Sequence, residues 1–157
     1  MGLYENIQSE PVSRLDLREP VTASPDATIR EAVGMMRQRK LGCVIAVDDE
    51  RKPQGMFTES MLTQLLAEGR SEALDEPIKD HMLARWPWVK LDDKVGDVLE
   101  ALQTKNIRFL CVVDEDGCLA GLTGQKGLME YVAEHFPGEV MVQRVGCTPY
   151  THQREGA

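Results

Sequence analysis

The chain has 157 residues, 42% of them hydrophobic and 28% charged, and its formal net charge is −8. That charge repels a phosphate backbone, and no apolar stretch reaches the roughly 20 residues that cross a bilayer, so we expect neither nucleic-acid nor membrane binding. The composition is that of an ordinary globular protein. We expect a cytoplasmic location, because Met1–Glu10 has neither the basic flank nor the apolar core of a signal peptide.

The first predicted elements are a short strand and a helix. An extended piece at Val21–Ala23 precedes Thr28 and Glu31, whose spacing is that of a capping box. In such a box the hydroxyl and the carboxylate each satisfy a free backbone donor at the helix start. Apolar residues at helical spacing then predict a helix that runs to about Arg39.

Two strands and a second helix follow. Cys43–Val47 is apolar on both faces and too short for an independent helix, as expected of a central strand. An acidic turn leads to a return strand at Gln54–Phe57. An apolar stripe then predicts a second helix that ends before Gly69, because glycine is a common helix stop.

The same elements recur 66 residues later. Val12–Leu62 lies on Ile78–Leu128 without a gap, and Phe109–Val113 then repeats the central strand. We predict an α/β (α+β) fold of two β-α-β-β-α repeats, packed on each other around a pseudo-twofold axis. The predicted bounds are a lead-in at 1–11, repeats at 12–68 and 78–136, a linker at 69–77 and a tail at 137–157, with a further short strand or cap at 140–145.

The titratable residues form no predicted catalytic or metal motif. The cysteines are Cys43, Cys111, Cys118 and Cys147, and the histidines are His81, His135 and His152. No cysteine pair has the close spacing of zinc ligands, and no nucleophile motif accompanies a histidine. We therefore expect neither a bound metal nor enzymatic activity, and we expect the cysteines within strands to act as small core residues.

Several segments of both repeats together resemble the CBS domain, named after cystathionine beta-synthase. They are Pro20–Ile29, Val44–Asp48, Gly55–Thr58, Val112–Gly117 and Gly121–Thr123. The resemblance covers about residues 12 to 135, and a tandem pair of such domains is called a Bateman module. It implies a non-catalytic module that binds AMP, ADP, ATP or S-adenosylmethionine between the repeats and often forms a homodimer.

The resemblance also implies candidate ligand-binding residues. One adenosine pocket corresponds to Thr22, Ala23, Gly42, Cys43, Val44 and Thr58, and the other to Trp88, Val89, Arg108, Phe109 and Leu110. The aromatic residues of the second set are suited to stack a base, and its arginine to bind a phosphate; core packing and an exposed arginine are the alternative. Gly124 and Lys126 lie at a predicted helix start, where free amides and a lysine suit an anion; a structural role of the glycines in the loop is the alternative.

One feature of the family pattern is missing from both repeats. The family binds ribose with Thr or Ser after the return strand and Asp three positions later. The first repeat has Thr58 but Met61 in place of the carboxylate, and the second has Gly124 and Gly127. Loss of a charge-assisted hydrogen bond lowers affinity by about ten-fold to over a hundred-fold.

Two functional hypotheses follow from the sequence. The first is a regulatory module that senses an adenosine-containing ligand in the clefts between its repeats and acts on a partner protein that the sequence does not identify. The second is a ligand-free dimerisation or protein-interaction module of the same fold. In both, wide apolar stripes on the second helix of each repeat predict a homodimer; the alternative is that the stripes only complete the core of each monomer.

Overall fold

A computed structural model of the chain describes residues 2–137, to which all structural statements refer. The short strand or cap expected at 140–145, within the tail predicted at 137–157, lies outside them. The helices are α1 (Leu3–Ser9), α2 (Ile29–Arg39), α3 (Glu59–Ala67), α4 (Val95–Lys105) and α5 (Gln125–His135). The strands are β1 (Thr22–Ala23), β2 (Cys43–Val47), β3 (Pro53–Thr58), β4 (Trp88–Lys90), β5 (Phe109–Val113) and β6 (Leu119–Gly124). Short 3-10 turns lie at Val12–Arg14, Ser71–Asp75 and Ile78–Asp80.

The strands form two three-stranded sheets, ordered β1-β2-β3 and β4-β5-β6. In each sheet the first strand is parallel to the central strand, and the return strand is antiparallel to it. The registers also agree between repeats: Thr22 lies opposite Ile45, and Trp88 lies opposite Cys111, 66 residues later in each case. The α/β fold of two equivalent repeats is therefore confirmed.

Local sequence signals set the ends of the first helix of each repeat. α2 begins after Thr28, whose hydroxyl accepts a hydrogen bond from the Glu31 amide, as the capping box predicts. Lys40 and Asn106, at equivalent positions after α2 and α4, both adopt the left-handed conformation. This turn ends each helix and directs the chain into the central strand.

Each repeat is completed by the segment that precedes the other. The Val12 amide donates to the Asp93 carbonyl (2.7 Å), and the Ile78 amide donates to the Ala27 carbonyl (2.8 Å). The two bonds are equivalent, because both the two donors and the two acceptors lie 66 residues apart in the chain. Val12 and Ile78 are both fully buried, in the second and the first hydrophobic core respectively. This reciprocal exchange gives the two repeats their pseudo-twofold relation.

A second exchange joins each return strand to a chain segment ahead of the other repeat. Arg18 pairs with Leu122 of β6, and Leu83 pairs with Met56 of β3. α1, in the lead-in where no helix is predicted, also packs on the second repeat. A Cβ on Gly96 of α4 would lie 3.3 Å from the Ile7 carbonyl oxygen of α1, so only glycine permits this close approach without adjustment.

Candidate functional site

A cleft of about 430 Å³ lies where the two repeats meet. The first repeat contributes Arg18, Lys40, Leu41, Gly42 and Glu59 to the lining. The second repeat contributes Arg108, Phe109, Gln125, Lys126 and Met129. Gly42 and Arg108 occupy equivalent positions in the two repeats, each immediately before the central strand. The starts of β2 and β5 therefore face each other across this cleft.

A smaller recess of about 40 Å³ shares Arg18, Arg108, Phe109 and Lys126 with the cleft. It reaches the buried end of β6 and the first turn of α5, where Thr123, Gly124 and Gly127 line it, together with Leu122 and Asp16. The volume corresponds to roughly three water molecules. The recess therefore has space for a small chemical group beside a larger ligand in the cleft.

The side chains around both cavities carry more positive than negative charge. Arg18, Lys40, Arg108 and Lys126 contribute the cations, and Asp16 and Glu59 contribute the carboxylates. Within residues 2–137, the first three cations form no ion pair, and Lys126 lies 3.5 Å from Glu130 in an exposed pair. This positive surface belongs to a chain of net charge −8. It attracts an anion locally, because nearby uncompensated charges dominate the field in a cleft.

Backbone contacts hold two of the main lining residues. Arg18 exchanges backbone hydrogen bonds of 2.9 and 3.0 Å with Leu122, so its position depends on the pairing between repeats. Trp86 is buried, and its indole Nε1 donates to the Phe109 carbonyl at 3.0 Å. The Arg108 guanidinium lies 5.9 Å from the centroid of the Phe109 ring, within cation–π range. The Phe109 ring and the Arg108 guanidinium therefore lie side by side in the lining of the cleft.

The helix starts at the two return strands differ. At α3, the buried Thr58 hydroxyl accepts a hydrogen bond of 3.4 Å from the Met61 amide. At α5, the equivalent residue is Gly124, which has no side chain to cap the helix. A Cβ on Gly124 would lie 2.2 Å from the Arg108 carbonyl oxygen, so no other residue fits without movement of the backbone.

The buried Thr123 hydroxyl is the unusual polar group of this region. Thr123 is 4% exposed, and its Oγ1 has no hydrogen-bond partner among the described residues. A Cβ on Gly127 would lie 2.6 Å from this oxygen, so the hydroxyl faces the first turn of α5. Buried hydroxyls are normally hydrogen-bonded, and an exception requires a physical explanation.

The structure brings together only part of the expected ligand-binding set. Gly42, Arg108, Phe109, Gly124 and Lys126 line the cleft or the recess. Thr22 lines a separate groove with Arg39 and Arg51, and Trp88 is 57% exposed on β4 and lines neither the cleft nor the recess. The remaining members are buried in the sheets: Ala23, Cys43, Val44, Thr58, Val89 and Leu110.

The two strand cysteines lie in the first core. Cys43 and Cys111 are free and buried. Burial raises the pKa of both thiols to about 12, so they remain protonated at neutral pH. Within residues 2–137, no group of three or more metal-ligating side chains comes together, and none of the helices is long and apolar enough to cross a membrane.

Sequence reasoning missed several lining residues. Arg18 precedes the first strand and belongs to no periodic pattern; only its pairing with β6 brings it to the cleft. Lys40, Glu59 and Asp16 likewise carry no motif. Thr123 is different, because the repeat aligns it with the buried apolar Phe57. A polar residue at a predicted core position was a detectable signal.

Comparisons with known proteins agree with this geometry. A family model described as CBS domain matches residues 12–68 and again residues 78–134. The choline transport ATP-binding protein OpuBA of Bacillus subtilis is 27% identical over 130 residues, which cover 83% of this chain and 32% of that protein. The chain thus spans about a third of the length of this relative.

Two solved structures share the fold. A CBS domain protein of Pyrobaculum aerophilum, complexed with AMP, is 24% identical, with 79% of this chain and 99% of that chain covered at a TM-score of 0.68. The CBS domain pair of protein MJ0100, in complex with 5-methylthioadenosine and S-adenosyl-L-methionine, is 20% identical, with 80% and 97% covered at a TM-score of 0.70.

Proposed function

The chain belongs to the CBS domain family as a tandem pair, and on this premise we propose that it is a non-catalytic regulatory module that senses an adenosine-containing ligand between its repeats. The ligands to consider are AMP, ADP, ATP and S-adenosylmethionine. Relatives of the same fold were solved with AMP, or with methylthioadenosine and S-adenosylmethionine.

The observation that carries this proposal is the cleft to which both repeats contribute cations. Its volume of about 430 Å³ lies within the roughly 300–1,000 Å³ usual for small-molecule sites. Phe109 offers an aromatic face for a base, and Arg108 offers a guanidinium for a phosphate. The lining combines one aromatic surface with several cations, which matches the two ends of a nucleotide.

Ligand binding at this cleft has a route to regulation. Lys40 and Arg18 belong to the first repeat, Arg108 belongs to the second, and the backbone of Arg18 pairs with Leu122 of the second. A ligand that contacts all three favours the relative position of the repeats in which the contacts are best. It shifts the conformational equilibrium by its difference in affinity for the alternative arrangements. A partner protein that distinguishes these arrangements would then respond.

The alternative is a ligand-free dimerisation or interaction module. It is favoured by Met61 and Gly127, which replace the carboxylates that the family uses to bind ribose. In either case we propose self-association through α3 and α5, on which Leu66 is 49% and Met129 is 71% exposed. Exposed apolar side chains of this kind are common in protein interfaces.

Thermal denaturation with added ligand separates the two functions. A ligand at a hundred times its Kd stabilises the folded protein by about 2.7 kcal/mol. We expect a saturable rise in Tm with at least one of the four ligands. The variant Arg108→Gln should lose most of the rise, and Arg85→Gln, an exposed arginine that lines neither cavity, should retain it.

The opposite result has a clear meaning. No change in Tm up to millimolar concentrations of all four ligands would reject the sensor and favour the interaction module. A rise that Arg108→Gln and Arg85→Gln share equally would place binding outside the cleft.

A further inference from the structure

The recess at the start of α5 lies where the two repeats differ in sequence. Where the first repeat has Phe57, Thr58 and Met61, the second has Thr123, Gly124 and Gly127. Each replacement is smaller than its counterpart. Thr123, Gly124 and Gly127 line the recess. The two glycines are closely packed themselves, because a Cβ on Gly124 would meet the Arg108 carbonyl and a Cβ on Gly127 would meet the Thr123 hydroxyl.

The helix start at α5 also lacks the hydrogen bonds made at α3. There, the Glu59 amide donates to the Gly42 carbonyl (3.0 Å), and the Met61 amide donates to the Thr58 hydroxyl (3.4 Å). Neither bond has a counterpart at α5 within the described chain. The first three amides of a helix have no partner inside the helix, so those of α5 are available to an anion.

A second, independent observation points to a ligand. The Thr123 hydroxyl is 4% exposed, lacks a partner in the described chain, and faces the first turn of the same helix. A hydroxyl is both donor and acceptor. The Thr123 oxygen itself has almost no accessible surface, so its side chain must rotate toward the recess to donate to an anion there. The unpaired amides of the first turn and this hydroxyl are thus donors beside the same recess.

The charge at this point identifies the kind of group. Arg18, Arg108 and Lys126 line the recess, against the single carboxylate of Asp16. A phosphate suits this set, since it offers several acceptor oxygens and negative charge. S-adenosylmethionine carries a positive sulfonium and ammonium, and its single carboxylate has less negative charge and fewer acceptor oxygens than a phosphate.

We propose that the recess is a phosphate-binding subsite, in which the start of α5 holds the phosphate of a nucleotide where the family pattern would place a ribose carboxylate. This proposal rests on the proposed sensing function and refines it. The module then selects phosphorylated nucleosides against S-adenosylmethionine and adenosine.

Isothermal titration of the full chain with AMP, ADP, adenosine, S-adenosylmethionine and inorganic pyrophosphate tests the subsite. AMP should bind at least about ten-fold more tightly than adenosine or S-adenosylmethionine, and added salt should weaken AMP more than adenosine. Pyrophosphate should shift the amide resonances of Gln125, Lys126 and Gly127 in NMR spectra.

Two variants and one control locate the effect. Thr123→Val and Lys126→Met should each weaken AMP binding several-fold and leave adenosine unchanged. Lys105→Met removes an exposed lysine at the C-terminal end of α4 that lines neither cavity, and it should bind AMP like the unchanged protein. Circular dichroism of each variant confirms that it is folded.

The outcomes distinguish the subsite from the function on which it rests. If adenosine binds as tightly as AMP, or if both variants bind AMP like Lys105→Met, the subsite is wrong and the sensing function stands. If pyrophosphate alone binds and both variants weaken it, the subsite stands without the adenosine function. Absence of binding by every probe overturns both.

Discussion

Replacement of Thr123 by valine should stabilise the ligand-free protein. The valine preserves the branched shape and removes a buried hydroxyl that has no partner in the described chain. An unsatisfied buried polar group costs about 1–3 kcal/mol, so the free energy of unfolding should rise by that amount. For a chain of this size each kcal/mol moves Tm by roughly 2–4 °C, which gives a rise of about 2–12 °C.

The matched control is the other buried threonine. Thr58 is 7% exposed, but its hydroxyl caps α3 by accepting the Met61 amide. Thr58→Val should therefore lower the free energy of unfolding by about 0.5–2 kcal/mol. The assay is urea and thermal denaturation in phosphate-free buffer, with a constant m-value as the check that the unfolded states are comparable. A loss of stability in Thr123→Val, or changes of the same sign in both variants, would refute the reasoning.

Three further predictions concern the cores and the surface. Ile78→Ala should lower the free energy of unfolding by about 2–5 kcal/mol, because Ile78 is fully buried in the first core; a loss below about 1 kcal/mol in urea denaturation would contradict that packing. Burial raises the pKa of Cys43 and Cys111 to about 12 from an ordinary value near 9. Their contribution to the free energy of unfolding is therefore complete below pH 9 and is lost as the pH rises from 9 toward 12. Urea titrations at pH 8 and pH 10 should show a smaller decline for a Cys43→Ala, Cys111→Ala variant than for the unchanged chain, and equal declines would disprove the link. Met129→Glu should convert the expected homodimer to monomer by light scattering, and a monomeric unchanged chain would reject dimerisation.

Local signals account for the elements that the sequence predicts well. The predicted bounds of the central strands, Cys43–Val47 and Phe109–Val113, match the structure residue for residue. Short apolar runs between turns can be recognised in a sequence without knowing which strands they pair with. The return strand predicted at Gln54–Phe57 extends one residue further at each end, to Pro53–Thr58. Helix and strand ends depend on single hydrogen bonds, so such shifts are expected.

The candidate site was harder to predict, because its parts come from distant positions. The family resemblance pointed to Arg108 and Phe109, and the predicted helix start pointed to Lys126; all three line one cleft with Arg18. Trp88, expected in the same pocket, lies instead on the exposed face of β4 and lines neither cavity. Residue type and spacing do not specify which face of a short edge strand turns toward the other repeat.

The duplication, the order of the elements and the missing ribose carboxylates are properties of the sequence itself, since each depends on residue identity at fixed spacing. The reciprocal exchange is different: residues 12 and 78 complete the opposite repeat, and Arg18 reaches the cleft only because its backbone pairs with Leu122. Such pairings depend on the relative placement of the sheets, and a backbone hydrogen bond can be made by almost any residue. Only the tertiary structure therefore decides which side chains surround the cleft and leaves the Thr123 hydroxyl without a partner in the described chain.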